Sequence, residues 1–136
     1  RFSESLAGAE VVVLCPSNPV VSIGPVLAVP GMREALLASA APKVAVSPIV
    51  GGRALKGPAD RMLSSLGHEV SAAGVARIYE GLVDVLVIDQ ADEAERATIE
   101  GLGMEVFVTD AVMRGPEDRG RLAGEILDVG ASSVTA

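Results

Sequence analysis

Four short apolar runs, residues 11–14, 44–46, 83–88 and 105–109, alternate with stretches that carry helix punctuation. The first three are β-branched and near-continuous rather than alternating, which is the pattern of parallel strands covered on both faces. Strands separated by helices confine the chain to an α/β fold with a mainly parallel sheet and right-handed crossovers. In such sheets the ligand site lies outside the carboxyl ends of the strands.

The helices are marked by their ends. Pro30 predicts a first turn ahead of Met32, Ala35 and Leu36 on one face. Pro58 opens a helix carrying Met62, Leu63 and Leu66, which Gly67 closes. Ser71 caps another with Val75, Ile78 and Tyr79, closed by Gly81. Asp92 and Glu95 have the spacing of a capping box before Ile99 and Leu102. Pro116, Glu117 and Asp118 start a last helix bearing Leu122, Ile126 and Leu127. Residues 128–136 read as a fraying tail. Two helices fall within 58–82 where one crossover would suffice, so a helical elaboration is expected there. Residues 1–136 read as a single α/β unit and, since Arg1 stands where an initiator methionine would, as an excerpt of a longer protein.

A chain of 136 residues buries roughly two-thirds of its unfolded surface. Hydrophobic residues make up 49% and aromatics 2%, so the core must be aliphatic and alanine-rich. No apolar run approaches the length of about 20 residues that spans a bilayer. The net charge of -7 and the lack of a basic stripe argue against nucleic-acid binding. The single cysteine, Cys15, cannot form an internal disulfide, which points to a reducing cytoplasm. At the end of a strand it reads as a small buried hydrophobe.

The most specific segment is Val46-Ser47-Pro48-Ile49-Val50-Gly51-Gly52-Arg53-Ala54-Leu55-Lys56-Gly57-Pro58. An apolar strand runs into paired glycines, then a lysine, then Gly-Pro opening a helix. Glycines let backbone N–H groups approach anionic oxygens, a lysine supplies charge, and a helix N-terminus adds its positive end. This suits a phosphorylated ligand, with Lys56 on phosphate and Arg53 as a weaker candidate. The bland reading is a turn followed by a helix start. A second loop, 16–25, offers Ser17, Asn18 and Ser22 between Pro16, Pro19 and Pro25, either for a ribose, base edge or phosphate or as an ordinary Asx-capped turn. Asp89 and Asp110 both follow strands. They are candidates for a divalent cation, although capping of the next turn is the favoured reading. His68 has no partner of metal-ligand type and reads as a surface residue. No nucleophile constellation is present.

The Pro16-Ser17-Asn18-Pro19-Val20-Val21-Ser22-Ile23-Gly24-Pro25 and Ser47 to Pro58 segments, with Gly74-Val75-Ala76-Arg77-Ile78-Tyr79, Leu86-Val87-Ile88-Asp89 and Val108-Thr109-Asp110, resemble the 2-phospho-L-lactate transferase family, most closely its actinobacterial, phosphoenolpyruvate-using members. The resemblance covers nearly the whole chain. It implies a Rossmann-like three-layer α/β sandwich with a small helical part, commonly a homodimer. It also implies a magnesium-dependent role in making coenzyme F(420). A phosphorylated three-carbon acid passes from a guanosine-diphosphate-activated donor to a deazaflavin hydroxyl, releasing GMP. On this reading Ser17, Asn18, Ser22, Ser47, Gly51, Gly52, Lys56 and Gly57 lie on the donor side. The catalytic groups, and the acidic motif associated with metal and deazaflavin, are expected in an N-terminal segment not represented here, so no metal ligand is assigned. The alternative is a nucleotide-sugar-binding regulatory protein resembling the gluconeogenesis-factor group.

Overall fold

The computed structural model describes residues 2–54 and 58–135. Its strands are β1 (Val12–Leu14), β2 (Lys43–Val46), β3 (Ile49–Val50), β4 (Arg53–Ala54), β5 (Val85–Asp89) and β6 (Glu105–Thr109). Four of them form a parallel sheet in the order β1-β2-β5-β6, and β3 and β4 form a separate antiparallel hairpin. The helices are α1 (Phe2–Ala7), α2 (Gly24–Leu27), α3 (Met32–Ala38), α4 (Ala59–Ser65), α5 (Ala72–Ile78), α6 (Arg96–Glu100) and α7 (Pro116–Thr135). A π turn, Pro19–Ile23, precedes α2, and a 3-10 turn, Gln90–Glu95, follows β5. The expected parallel α/β architecture is therefore present, and both α4 and α5 lie in the 58–82 stretch.

Alternation along the central strands divides the core in two. Ala45, Leu86 and Ile88 point to a large cluster with Leu36, Leu63, Val75, Tyr79 and Ile99. Val44, Val46, Val85 and Val87 point the other way, onto Leu122 and Ile126 of α7. Both central strands are buried along their whole length. That is why their sequences are continuously apolar rather than alternating.

Four expectations of the fold need correction. Pro30 stands before α3 and its cap, Gly31, rather than in its first turn, because Gly31 takes a φ of 85° there. The first apolar run is not covered on both faces: β1 is an edge strand, and Val13 is 37% exposed. Cys15 is an exposed free thiol rather than a buried one, because the chain leaves the sheet edge beside a groove that α7 does not fill. Residues 128–135 do not fray. They continue α7, with Val129 packed on the second cluster and Gly130 buried beside Val11. A Cβ at Gly130 would come within 2.7 Å of a Val11 methyl carbon, so any other residue there would force Val11 or the helix to shift.

Tyr79 is 1% exposed, and its hydroxyl has no hydrogen-bond partner among the described residues. Burial pushes its ionisation well above the ordinary tyrosine range. An unsatisfied buried hydroxyl costs about 1–3 kcal/mol, so Tyr79→Phe is expected to raise stability by about 1 kcal/mol in thermal melts. A loss of stability would mean that the hydroxyl has a partner and that this account of it is wrong.

Candidate functional site at the carboxyl edge of the sheet

All four sheet strands end at one edge, at Leu14, Val46, Asp89 and Thr109, and the segments that follow them gather there. Both motif loops belong to this edge. They leave adjacent strands, since β1 and β2 pair in register with Leu14 opposite Ala45. The Asn18 amide N–H donates to Met62 Sδ of α4 at 3.3 Å, so the loop after β1 touches the helix that follows the second motif.

The loop after β1 is mostly helical rather than open. The side-chain oxygen of Asn18 accepts the N–H groups of Val20 and Val21 and caps the π turn. Asn18 is thus occupied at both ends of its amide. Ser17 is half-buried and Ser22 exposed, and neither hydroxyl has a partner among the described residues.

In the second loop Ser47 is 1% exposed. Its hydroxyl donates to the Ile49 carbonyl and accepts the Ile49 N–H, which turns the chain out of β2 into β3. Gly51 and Gly52 occupy the two central positions of the β3–β4 hairpin at φ 59° and 83°. Two positive φ values are what a type I′ turn demands, so the paired glycines are explained by chain reversal alone. The Gly51 N–H is not open to a ligand; it donates to Oδ1 and Oδ2 of Asp92 at 3.1 and 3.2 Å. Arg53 follows the turn and is exposed, with no ion-pair partner among the described residues. Lys56 and Gly57 lie outside the described residues; they fall between Ala54 and Pro58, which precedes α4.

Asp89 and Asp110 are caps, as the favoured reading had it. The carboxylate of Asp89 accepts Ala91 N–H at 2.9 Å and Ala111 N–H at 2.9 Å. Asp110 accepts Val112 N–H, and the Arg114 guanidinium bonded to it holds its carboxyl below the usual range. Among the described residues no group of three or more His, Cys, Asp or Glu side chains is placed to hold a metal ion. His68 is on the surface, as expected.

Sequence reasoning missed what the segment 89–95 does. Asp92 and Glu95 do not form a capping box for α6. The cap of the 3-10 turn is Asp89, and Glu95 accepts Ala73 N–H in the first turn of α5 at 3.0 Å. Three carboxylates in seven residues each take a backbone N–H from a different element: the segment after β6, the β3–β4 turn and α5. The sequence carried a signal for the turn but not for its partners: acids at 89, 92 and 95 recur every three residues, the period of a 3-10 turn rather than an α-helix.

Burial raises the Asp92 carboxyl above its ordinary value, the Gly51 N–H opposes this, and the charges of Glu95 and Asp89 add to it. An acid with a raised folded value favours the folded state when protonated. Its cost to stability is therefore full above the folded value and absent below the unfolded one, 3.8. Asp92→Asn keeps an acceptor for Gly51 and removes the charge. It is expected to melt at or above the wild type at pH 7, with the difference vanishing below pH 3.8. A pH-independent loss of stability in this variant would contradict the assignment.

A parallel sheet with its loops massed at the carboxyl edge defines the class: an α/β protein whose candidate site is built from strand-following loops. The family model for 2-phospho-L-lactate transferase CofD matches residues 2–114, and the chain belongs to this family. It is 43% identical over 121 residues to a phosphoenolpyruvate transferase of Kitasatospora aureofaciens, covering 88% of this chain and 38% of that protein. It is 38% identical over 125 residues to the 2-phospho-L-lactate transferase of Methanocaldococcus jannaschii, covering 92% and 39%. The chain thus spans about two-fifths of the length of these relatives. An X-ray structure of a Bacillus halodurans protein shares the fold, with a TM-score of 0.59 at 21% identity over 93% of this chain and 45% of that one.

Proposed function

We propose that the protein of this chain transfers a phosphorylated three-carbon acid from a guanosine-diphosphate-activated donor to a hydroxyl of a deazaflavin, releasing GMP, in the assembly of coenzyme F(420). The single observation behind this reading is the convergence of the loops after β1 and β2 at the carboxyl edge, in a chain of the CofD family. In the transfer, the acceptor hydroxyl oxygen forms a bond to the phosphorus that carries the acid. The bridging P–O bond to the guanosine phosphate breaks, and the hydroxyl proton passes to solvent. Such a displacement needs placement and charge neutralisation more than a protein nucleophile.

On this reading the charges of Lys56 and Arg53 serve the diphosphate, and the hydroxyls of Ser17 and Ser22 are the side-chain donors left for the nucleotide. Ser47 and Asn18 shape the loops instead of touching the ligand, and Gly51 and Gly52 make the reversal that presents Arg53. A homodimer in the reducing cytoplasm is part of the proposal. Magnesium dependence is part of the proposal, and chelation in the transfer assay tests it.

Calorimetric titration of the full-length gene product with GDP and with a uridine nucleotide-sugar tests the reading. GDP is expected to bind the more tightly. Preference for the uridine nucleotide-sugar, with no turnover of any activated acid, would overturn the transferase in favour of a regulatory binding protein.

A further inference from the structure

We propose that Asp92 is a positioning residue of the transfer reaction: by anchoring the Gly51-Gly52 turn it sets where the β3–β4 hairpin presents Arg53 to the donor diphosphate. The inference rests on the transferase reading and adds a residue to it.

The hairpin cannot hold its own place. Among the described residues it has two residue pairs, Ile49 with Ala54 and Val50 with Arg53, and an isolated ribbon of that length is not stable in water. One end is fixed, because Ile49 is fully buried and Ser47 locks the exit from β2. The tip needs a second anchor, and Asp92 provides it. Both carboxylate oxygens converge on the single N–H of Gly51, and the side chain is shut away, with the residue 5% exposed.

The anchor is itself tied down at both ends. The 3-10 turn that carries Asp92 is tied at its start by Asp89 to Ala91 and Ala111, and at its end by Glu95 to Ala73 of α5. A position in β6's trailing segment, one in α5 and one in the hairpin are thereby linked through seven residues. Burying a carboxylate here is costly unless its acceptor capacity is used, and Gly51 is the donor that uses it. Asp92 faces a backbone N–H of the turn, so it acts on the donor only through the hairpin. Misplacement of a charge-presenting loop by about an ångström can cost up to about a hundredfold in rate.

The test is steady-state kinetics on the full-length gene product as wild type, Asp92→Ala and Asp92→Asn. The substrates are the activated donor that the wild type uses and the deazaflavin. Asp92→Ala is expected to raise KM for the donor about tenfold or more while KM for the deazaflavin moves less than about twofold. Asp92→Asn, which still offers an oxygen to Gly51, is expected to restore the donor KM to within about twofold. Amide exchange at Gly51 reads the anchor directly and is expected to quicken in Asp92→Ala alone. Unchanged donor KM in a folded Asp92→Ala, or an equal rise in both KM values, overturns the positioning role while leaving the transferase intact. Should Asp92→Ala not fold, the Asn variant decides: a tenfold rise in its donor KM with normal Gly51 exchange also overturns it. A wild type that turns over no donor removes the function itself, and this role with it.

Discussion

Gly74→Ala is expected to destabilise the protein by about 3 kcal/mol or more, among the largest effects of any single methyl group added to this fold. A Cβ at Gly74 would stand 1.9 Å from the carbonyl oxygen of Glu69 and 2.8 Å from its carbon. The obstacle is backbone rather than the far end of a flexible side chain. Glu69 is held by Ser71, whose hydroxyl donates to its carboxylate at 2.7 Å, and by Arg77, whose guanidinium meets it at 2.8 Å. The Ser71 hydroxyl in turn accepts Gly74 N–H at 2.9 Å as the cap of α5. Relief of the clash would therefore unseat the cap and the neighbouring bond from Ala73 to Glu95 together. The control is Gly124→Ala in the exposed part of α7, where an added Cβ meets nothing within 4 Å. That change should stabilise the helix by about 0.5–1 kcal/mol. Thermal melts followed by circular dichroism read both. A Gly74→Ala that melts within a degree or two of the wild type would refute this packing of the 67–71 loop on α5.

The second large effect concerns Lys56. If the segment after the hairpin meets the donor diphosphate, Lys56→Ala should lower kcat/KM for the donor by about a hundredfold or more, with little change in KM for the deazaflavin. A fixed cation facing developing negative charge is worth far more in a water-excluded site than on an open surface. A plain surface lysine would give no change, since exposed charges contribute little. Kinetics on the full-length gene product distinguish the two. Lys56→Arg serves as the companion variant, since it keeps the charge but changes its shape.

The fold was readable because its signals are local. The uninterrupted runs 44–46 and 83–88 mark strands buried on both sides, and Pro58, Ser71 and Pro116 punctuate the helices where the structure places their starts. What failed was set by neighbours distant in sequence. Position at the sheet edge exposes Val13 and Cys15, and nothing in the apolar run 11–14 says that β1 has only one partner. The 128–135 stretch contains Gly130 and small polar residues that read as fraying. Its helix persists because that glycine fits against Val11, more than a hundred residues earlier.

The candidate site divides in the same way. The strand-loop-helix order located it at the carboxyl edge, but roles within it depended on which N–H met which carboxylate. Gly51 and Gly52 look like a phosphate cradle in one dimension. In three dimensions they are a hairpin turn whose leading N–H is taken by Asp92. Asn18 looks like a ligand donor and is a cap. The brace formed by Asp89, Asp92 and Glu95 joins residues 22 and 41 positions apart, pairings that sequence spacing does not disclose.

The most direct measurement is a transfer assay on the full-length gene product, with magnesium present or chelated, offering a deazaflavin and each guanosine-diphosphate-activated three-carbon acid in turn. Mass-resolved detection of a phosphodiester-linked deazaflavin, formed one for one with GMP, is the result this account requires. No linked product from any donor, with the nucleotide bound but unchanged, would contradict it.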